Sequence, residues 1–412
     1  MTEQMTRKQR LVTAARGGQP DRVPVAPMVF PMLRKHFGGR SWEYELNAAK
    51  AYDFDPMIHL PCFDGSPVHN HIRFLCGNYN YEGRSYFEDV APGVTIDLHI
   101  ERLPESTIVR RNIKTPAGEL TDAVRQPLIT KKRWAASTIF DEIRGYWGPP
   151  EWIERLVKAT EDLEKVQFLL TMPTPHELSR LRVIRDWIGE DGLLQVDCYS
   201  PLDEWADHGI GLENIRAAYD TDRRFFDAIV ETFWGQTMKL TRAYLEAGAE
   251  SLFASWQACG ESAAWTPEVF REVFQPKLKE HVQLAHEFGA IYDYAEEFKI
   301  VNLLPMLIEA DVDVVHNVAP PPQGDVVMAK VKAQFGGSIC LRGNFDSEGA
   351  AEHGTPEQVD EAVRDLIMTA APGGRYILAC SDTITADWPD PNVRAFFDAA
   401  RKYGDYEHLR VA

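Results

Sequence analysis

The chain has 412 residues, 44% of them hydrophobic and 26% charged, an ordinary soluble composition. A formal net charge of -18 argues against a nucleic-acid partner, which needs a basic face, and equally against an anionic membrane surface. No apolar run approaches the roughly 20 residues of a membrane span, so no membrane association is expected.

The opening stretch "MTEQMTRKQRLVTAARGGQP" lacks the apolar core of a signal peptide and reads as a polar helix. The six cysteines (62, 76, 198, 259, 340 and 380) are scattered and form no CxxC pair, which predicts reduced thiols in a cytoplasmic protein. Short apolar runs then alternate with helical patterns. Strands are expected at "VPVAPMVF" (23–30), "PMIHL" (56–60), "VQFLLTM" (166–172), "LLQVDCY" (193–199) and "SLFASW" (251–256). Later ones are expected at "AIYDY" (290–294), "VDVVH" (312–316), "SICLRG" (338–343) and "RYILAC" (375–380). Residues 79–128 break the rhythm: they alternate with period two around Pro104 and Pro116-Ala117-Gly118, and read as inserted antiparallel hairpins. Helices lie between the strands. Residues 223–248 are apolar at 3.6-residue spacing and stop at Gly248. Residues 266–289 carry Thr266 as N-cap, Pro267 at the first helical position and Gly289 as stop. Thr355, Pro356 and Gly373-Gly374 repeat that grammar. Eight or nine strands alternating with helices predict an α/β fold, a single (β/α)8 TIM barrel over residues 1–412 with an N-terminal helical extension. An open doubly wound sheet would want a glycine-rich phosphate turn after its first strand, and "PMLRKHFGG" is not one.

In a barrel the reacting groups project from the C-terminal strand ends. That rule nominates Asp197, Cys198 and Tyr199; Ser255, Trp256, Cys259 and Glu261; Asp293, Tyr294, Glu296 and Glu297; His316; Arg342, Asn344 and Asp346; and Cys380 and Asp382. His176 follows the run at 166–172. Glu296, Glu297, His316 and Cys380 come from neighbouring strand ends and together make a zinc set of oxygen, nitrogen and sulfur donors. Blander readings stand beside it: Cys380 as a small core residue, His316 as a structural histidine, and the two glutamates as a solvated helix start. Trp256 and Tyr199 suit the wall of a pocket, with core packing the equal alternative for Trp256, and Tyr81, Tyr86 and Phe87 could form a lid that nothing in their spacing demands. His69 and His71 share one side of a strand or nothing at all. There is no G-x-S-x-G and no phosphate-cradling lysine loop.

Several stretches resemble the uroporphyrinogen decarboxylase-like superfamily in order: "RLVTAARGGQPDRVPVAPM", "TPAGEL", "LLPMLIEADVDVVHNV", and "GTPEQVDEAVRDLIMTAAPGGRYILAC" followed by "PDPNVRAFFDAARKYG". The resemblance spans nearly the whole chain and implies a (β/α)8 barrel. One branch decarboxylates a tetrapyrrole and carries an Arg-Gln-Ala-Gly-Arg segment after the first strand; here that place reads "MVFPMLRKHFGG", with only Arg34 and Lys35. The other branch holds zinc-dependent methyltransferases, with His-x-Cys after the sixth strand and a later cysteine. Cys380 matches the later cysteine, whereas "YDYAEEF" stands where His-x-Cys is expected.

The resemblance therefore implies a methyltransferase moving a methyl group from an aryl methyl ether or N-methyl donor to a corrinoid protein or a related acceptor such as a thiol. The cobalamin would arrive on a separate corrinoid protein, since this chain has no cobalamin-binding Asp-x-His-x-x-Gly segment. A Lewis acid or a protonated glutamate would activate the leaving atom. The expected catalytic residues are Glu297, His316 and Asp197, and the expected substrate contacts Trp256, Tyr199, His176, Arg342 and Asp346. The expected metal ligands are Glu296, Glu297, His316 and Cys380, and the expected assembly is a homodimer. The rival reading is a metal-free decarboxylase or lyase, with Arg342, Arg73 or Arg84 holding a carboxylate and Asp197 or Asp346 managing the proton.

Overall fold

A computed structural model describes residues 5–39, 41–60, 93–129, 146–147, 151–170, 172–203, 209–296 and 298–409. The chain forms two compact units, the first from Met1–Val68, Pro175–Cys198 and Thr241–Ala412, the second from His69–Thr174 and Tyr199–Leu240. Among the described residues no helix is long and apolar enough to cross a membrane.

In chain order the strands are β1 (Met57–Leu60), β2 (Thr95–Arg102), β3 (Ser106–Thr115), β4 (Gly118–Ile129), β5 (Tyr146–Trp147) and β6 (Glu151–Glu154). They continue with β7 (Leu193–Tyr199), β8 (Ser251–Ser255), β9 (Ile291–Ala295), β10 (Val314–His316), β11 (Cys340–Phe345) and β12 (Tyr376–Cys380). The first unit is built on a curled parallel sheet of seven strands in the order β1-β7-β8-β9-β10-β11-β12. Each of these runs is buried, as a sheet covered on both faces requires. The second unit holds the antiparallel sheet β2-β3-β4-β5, with β6 paired to β4. The turn at Pro116-Ala117 joins β3 to β4 as the expected hairpin does, and Gly118 at φ 129° takes the conformation a side chain would resist. The part of the expected insertion at 79–92 lies outside the described residues.

Of the expected strands, one is only partly formed and one is corrected. Residues 23–30 make only isolated pairings, Val25 with Leu378 and Met28 with Thr383, before a helix begins at Phe30. Pro24 and Pro27 explain this, because a proline has no N–H to give a ladder. The carbonyl of Pro24 still accepts from Leu378 N, and Ala26 N donates to Leu378 O. Residues 166–172 are not a strand: a helix over Thr160–Val166 runs into a 3-10 turn at Gln167–Leu169. The Asp162 carboxylate accepts from Lys158 N and Ala159 N and fixes that helix start, which outweighs the short apolar run.

The helix grammar is observed at both quoted sites. Thr355 and Gln358 form a capping box, and the Thr266 hydroxyl accepts from Val269 N. The latter helix widens into a π turn at Phe270–Phe274, just ahead of Pro276, whose missing N–H interrupts the ladder. At the N-terminal end of the parallel sheet, Leu11, Ala14 and Ala15 of the helix Arg7–Ala15 pack with Ala26, Met57, Leu193, Ile291, Val314, Cys340 and Ile377. This apolar plug is the floor on which the site is laid.

Candidate functional site

Side chains on a strand alternate between faces, so the residue two beyond a plug residue points the same way, one layer further along. That count leads from Met57 to His59, from Leu193 to Gln195 and Asp197, and from Ile291 to Asp293. It leads likewise from Val314 to His316 and from Cys340 to Arg342. All six polar side chains are buried. The registers agree: His59 pairs with Gln195, Ala295 with His316, and Arg342 with Ile377. A polar layer thus lies directly on the apolar floor.

Within the layer, Arg342 Nη1 donates to Asp293 Oδ2 at 2.5 Å, and Arg342 Nε and Nη2 donate to the Ala26 carbonyl at 3.1 and 2.8 Å. Gln195 Nε2 also donates to Asp293 Oδ2, at 3.0 Å. His59 Nε2 is in hydrogen-bond contact with Asp197 Oδ1. The Phe253 ring stands between the two histidines, its centroid 4.4 Å from His59 and 5.4 Å from His316. His316 is fully buried, and neither ring nitrogen has a hydrogen-bond partner among the described residues. Asp293 Oδ2 is 3.8 Å from its Nδ1, beyond bonding distance. Asp293 Oδ1 and Gln195 Oε1 are also buried without partners among the described residues. Unsatisfied atoms gathered in one layer mark a place where a ligand completes the bonding.

The electrostatics follow from burial. Desolvation, aided by Arg342 and His59, holds His316 well below the usual histidine range, so the ring is neutral. Burial pushes the Asp293 carboxyl up, against the pull of Arg342 and Gln195. Glu45, on the helix Trp42–Tyr52, is raised by burial to about 8 although His59 and Arg342 pull it down.

The opposite face of the sheet carries a separate set. Trp256 Nε1 donates to the Tyr292 hydroxyl at 2.9 Å, and that hydroxyl lies 2.9 Å from His281 Nδ1, whose Nε2 is 2.8 Å from Thr241 Oγ1. Trp256 stacks on Tyr294, whose hydroxyl donates to Glu296 Oε2 at 2.8 Å. Trp256 is therefore packed on the outer face and does not wall the layer that holds His316. Glu296 follows Ala295, the register partner of His316, and lies beside Tyr294 and Gly260. Cys380 pairs with Phe345, which packs on Trp388 and Phe396. It is three residues past the plug residue Ile377, hence on the outer face, and burial keeps its thiol protonated. By the two-residue alternation His316 faces the polar layer and Cys380 the other face of the sheet, Glu296 stands one residue past β9, and Glu297, the fourth expected ligand, lies outside the described residues. Among the described residues no group of three or more His, Cys, Asp or Glu side chains is placed to hold a metal ion. Glu297 lies outside the described residues, as do His69, His71, Arg73, Tyr81, Arg84, Tyr86 and Phe87.

The remaining expected residues fall as follows. Asp197 and His316 join the polar layer. His176 is exposed in the first turn of the helix Pro175–Ile188, because the strand it was to follow is not formed. Tyr199 ends β7, half-buried. Asp346 Oδ1 accepts from Glu348 N and Gly349 N, both at 3.0 Å, and shapes the turn after β11. Arg342 is in the layer, but three of its five N–H directions are already committed to Asp293 and Ala26. Sequence reasoning missed His59, Gln195 and Glu45. The first two were findable: each stands two residues beyond a plug residue. Far from this layer, a cleft of about 560 Å³ opens at the N-terminal strand ends, where Lys8 pairs with Glu250 at 2.7 Å.

Comparison with known proteins adds the following. The model of the uroporphyrinogen decarboxylase family matches residues 149–403. No curated protein sequence matches the chain. Among solved structures, a methyltransferase from Methanosarcina mazei is similar at a TM-score of 0.61 and 14% identity, over 97% of this chain and 99% of that one. A putative vitamin-B12 independent methionine synthase from Listeria monocytogenes is similar at a TM-score of 0.35 and 11% identity, over 57% of this chain and 73% of that one.

Proposed function

From the premise that this chain belongs to the uroporphyrinogen decarboxylase family, we propose that it is a methyltransferase. It would move a methyl group from a small aryl methyl ether or N-methyl donor to a corrinoid on a partner protein. The observation that carries this reading is the polar layer. It holds two buried imidazoles, one against a carboxylate and one with both nitrogens unpartnered among the described residues, above the apolar floor of a parallel sheet. In the same reading, residues 23–28 close the sheet as an eighth strand between β12 and β1. The bonds of Ala26 and Pro24 to Leu378, and of Asp55 N to the Val25 carbonyl, support that closure.

Mechanistically, an ether oxygen or amine nitrogen leaves poorly because it is too basic. A proton delivered as the bond to methyl breaks lowers that barrier. His59 is the proton donor in this scheme, and Asp197 orients its ring and stabilises the imidazolium. Neutral His316 offers a nitrogen lone pair that positions a donor group of the substrate. Asp197 and His316 so keep catalytic roles, and His59 joins them. The corrinoid supplies the methyl acceptor when its carrier docks. Among the described residues His316 and Asp293 belong to no three-donor cluster, and no step is routed through a metal: leaving-group activation is assigned to side chains. Substrate binding by Arg342, one of the three arginines the decarboxylase reading offers, competes with its bonds to Asp293 and Ala26.

The test is a cobalamin assay. Purified protein with reduced cobalamin is offered a panel of aryl methyl ethers and methylamines, and methylation is followed by the cobalamin absorbance. The expected result is turnover of at least one donor, with His59→Ala and His316→Ala each losing about 10²- to 10⁴-fold. No response to any donor, or full activity in either variant, overturns the proposal. Metal analysis accompanies it: one equivalent of zinc, lost in His316→Ala, would return the activation step to a Lewis acid.

A further inference from the structure

The helix Pro175–Ile188 in the first unit buries Glu177, Leu181, Ile184 and Ile188 and turns its opposite face to solvent. On that face Trp187 is 74% exposed, the most exposed large apolar side chain among the described residues. Val183, one turn earlier, is 55% exposed. Trp187 is held in place: its ring meets Trp42, at the start of the helix Trp42–Tyr52, edge-on with centroids 6.3 Å apart. A fixed tryptophan left in water is the kind of side chain that anchors interfaces, because little freedom is lost when it is covered. We infer that this face is a self-association surface, on which a second copy of the chain packs the same helix antiparallel about a two-fold axis at Val183.

The occupant is chosen by the symmetry of the face. About a two-fold axis, antiparallel helices oppose residues that stand equally far before and after the residue on the axis. At 3.6 residues per turn, Arg180 and Trp187 fall on one side of Val183, Ser179 and Asp186 on the other, and His176 and Glu190 close to the mid-line. All six are exposed. The reversal therefore lays Val183 on its symmetry mate and the Arg180 guanidinium on the Trp187 ring of the second copy, a cation on an aromatic face. The Ser179 hydroxyl meets the Asp186 carboxylate, and the His176 ring meets the Glu190 carboxylate, a donor against an acceptor each time. Every contact occurs twice, and no pair sets like charges together. Both carboxylates are steadied within their own chain: Arg185 donates to Asp186 Oδ1 at 2.7 and 3.0 Å, and the Thr6 hydroxyl donates to Glu190 Oε2 at 2.7 Å. An unrelated partner has no use for a face that complements its own reversal. A strip about 20 Å long is smaller than the roughly 800 Å² per partner of a standard interface, so the association belongs in the micromolar range.

The measurement is sedimentation velocity of the full chain from about 1 to about 200 µM, a range that brackets a micromolar dimer. The wild type should pass from monomer to dimer across it. Trp187→Ser removes the anchor from both copies and should weaken association by about 10²-fold or more. Val183→Glu sets two carboxylates against each other on the axis and should leave only monomer, so the reading does not hang on the tryptophan alone. His176→Glu opposes a carboxylate to Glu190 and should weaken the dimer by about tenfold. The double variant His176→Glu with Glu190→Lys restores opposite charges and should return it to within about threefold of the wild type. Far-UV circular dichroism confirms that each variant is folded. A wild type that stays monomeric throughout, a dimer that Trp187→Ser and Val183→Glu leave intact, or a double variant no stronger than His176→Glu alone overturns the inference.

Discussion

Replacing Arg342 by methionine should be among the most damaging single changes in the molecule. The guanidinium and the Asp293 carboxylate are 1% and 0% exposed and 2.5 Å apart. At an effective dielectric of about 20 that separation corresponds to roughly 7 kcal/mol of attraction, set against the cost of taking both charges out of water. Removing one partner leaves the other charge stranded, which costs about 3–5 kcal/mol. The pH dependence has a definite sign. Burial already raises the Asp293 carboxyl, and Arg342 pulls it back. Without that pull the native variant keeps a proton that the unfolded chain releases above the ordinary carboxylate range. Stability then falls as pH rises, and the defect is smallest in acid. Equilibrium urea unfolding at about pH 5 and about pH 8 measures this, together with Asp293→Asn and the double variant. The double variant should cost much less than the sum of the singles. A loss below about 1 kcal/mol at the higher pH, a defect that grows toward acid, or additive singles would refute the reasoning.

Two further outcomes are expected. Glu45→Gln should melt close to the wild type at about pH 5 and several degrees above it at about pH 8.5. The reason is that burial raises the Glu45 carboxyl from 4.5 to about 8, so its ionisation weakens the native state only as pH climbs through that range. An equal difference at both pH values would contradict this. Tyr292→Phe removes the hydroxyl that Trp256 and His281 share and should cost about 1–3 kcal/mol in urea unfolding, with the pH dependence of activity unchanged. A moved pH profile would instead tie the outer face to the chemistry.

The sheet was legible because its strands are continuous apolar runs bounded by helix caps, and β7 is observed at the residues expected of it, 193–199. Residues 166–172 misled because a seven-residue, mostly apolar run fits a helix end as well as a strand, and His176 was nominated on the strength of that error. The candidate site was half legible. Strand ends nominated Asp197 and His316, which face the polar layer, but a rim contains both faces of a sheet, and only the alternation from a known core residue distinguishes them. Cys380 and Glu296 fail that count, while His59 in "PMIHL" passes it. Glu45 was out of reach, since its burial depends on how a helix docks and no local pattern encodes that.

The pairing of Pro24 and Ala26 with Leu378 has a consequence for synthesis. These partners leave the ribosome far apart in time, and the residues of the second unit emerge between them in two instalments. A nascent chain therefore holds the inner edge of its first segment unmatched until β12 has been made. Assembly of the first unit is a late event, and segments translated early must wait for their neighbours with their backbone bonds still directed to water.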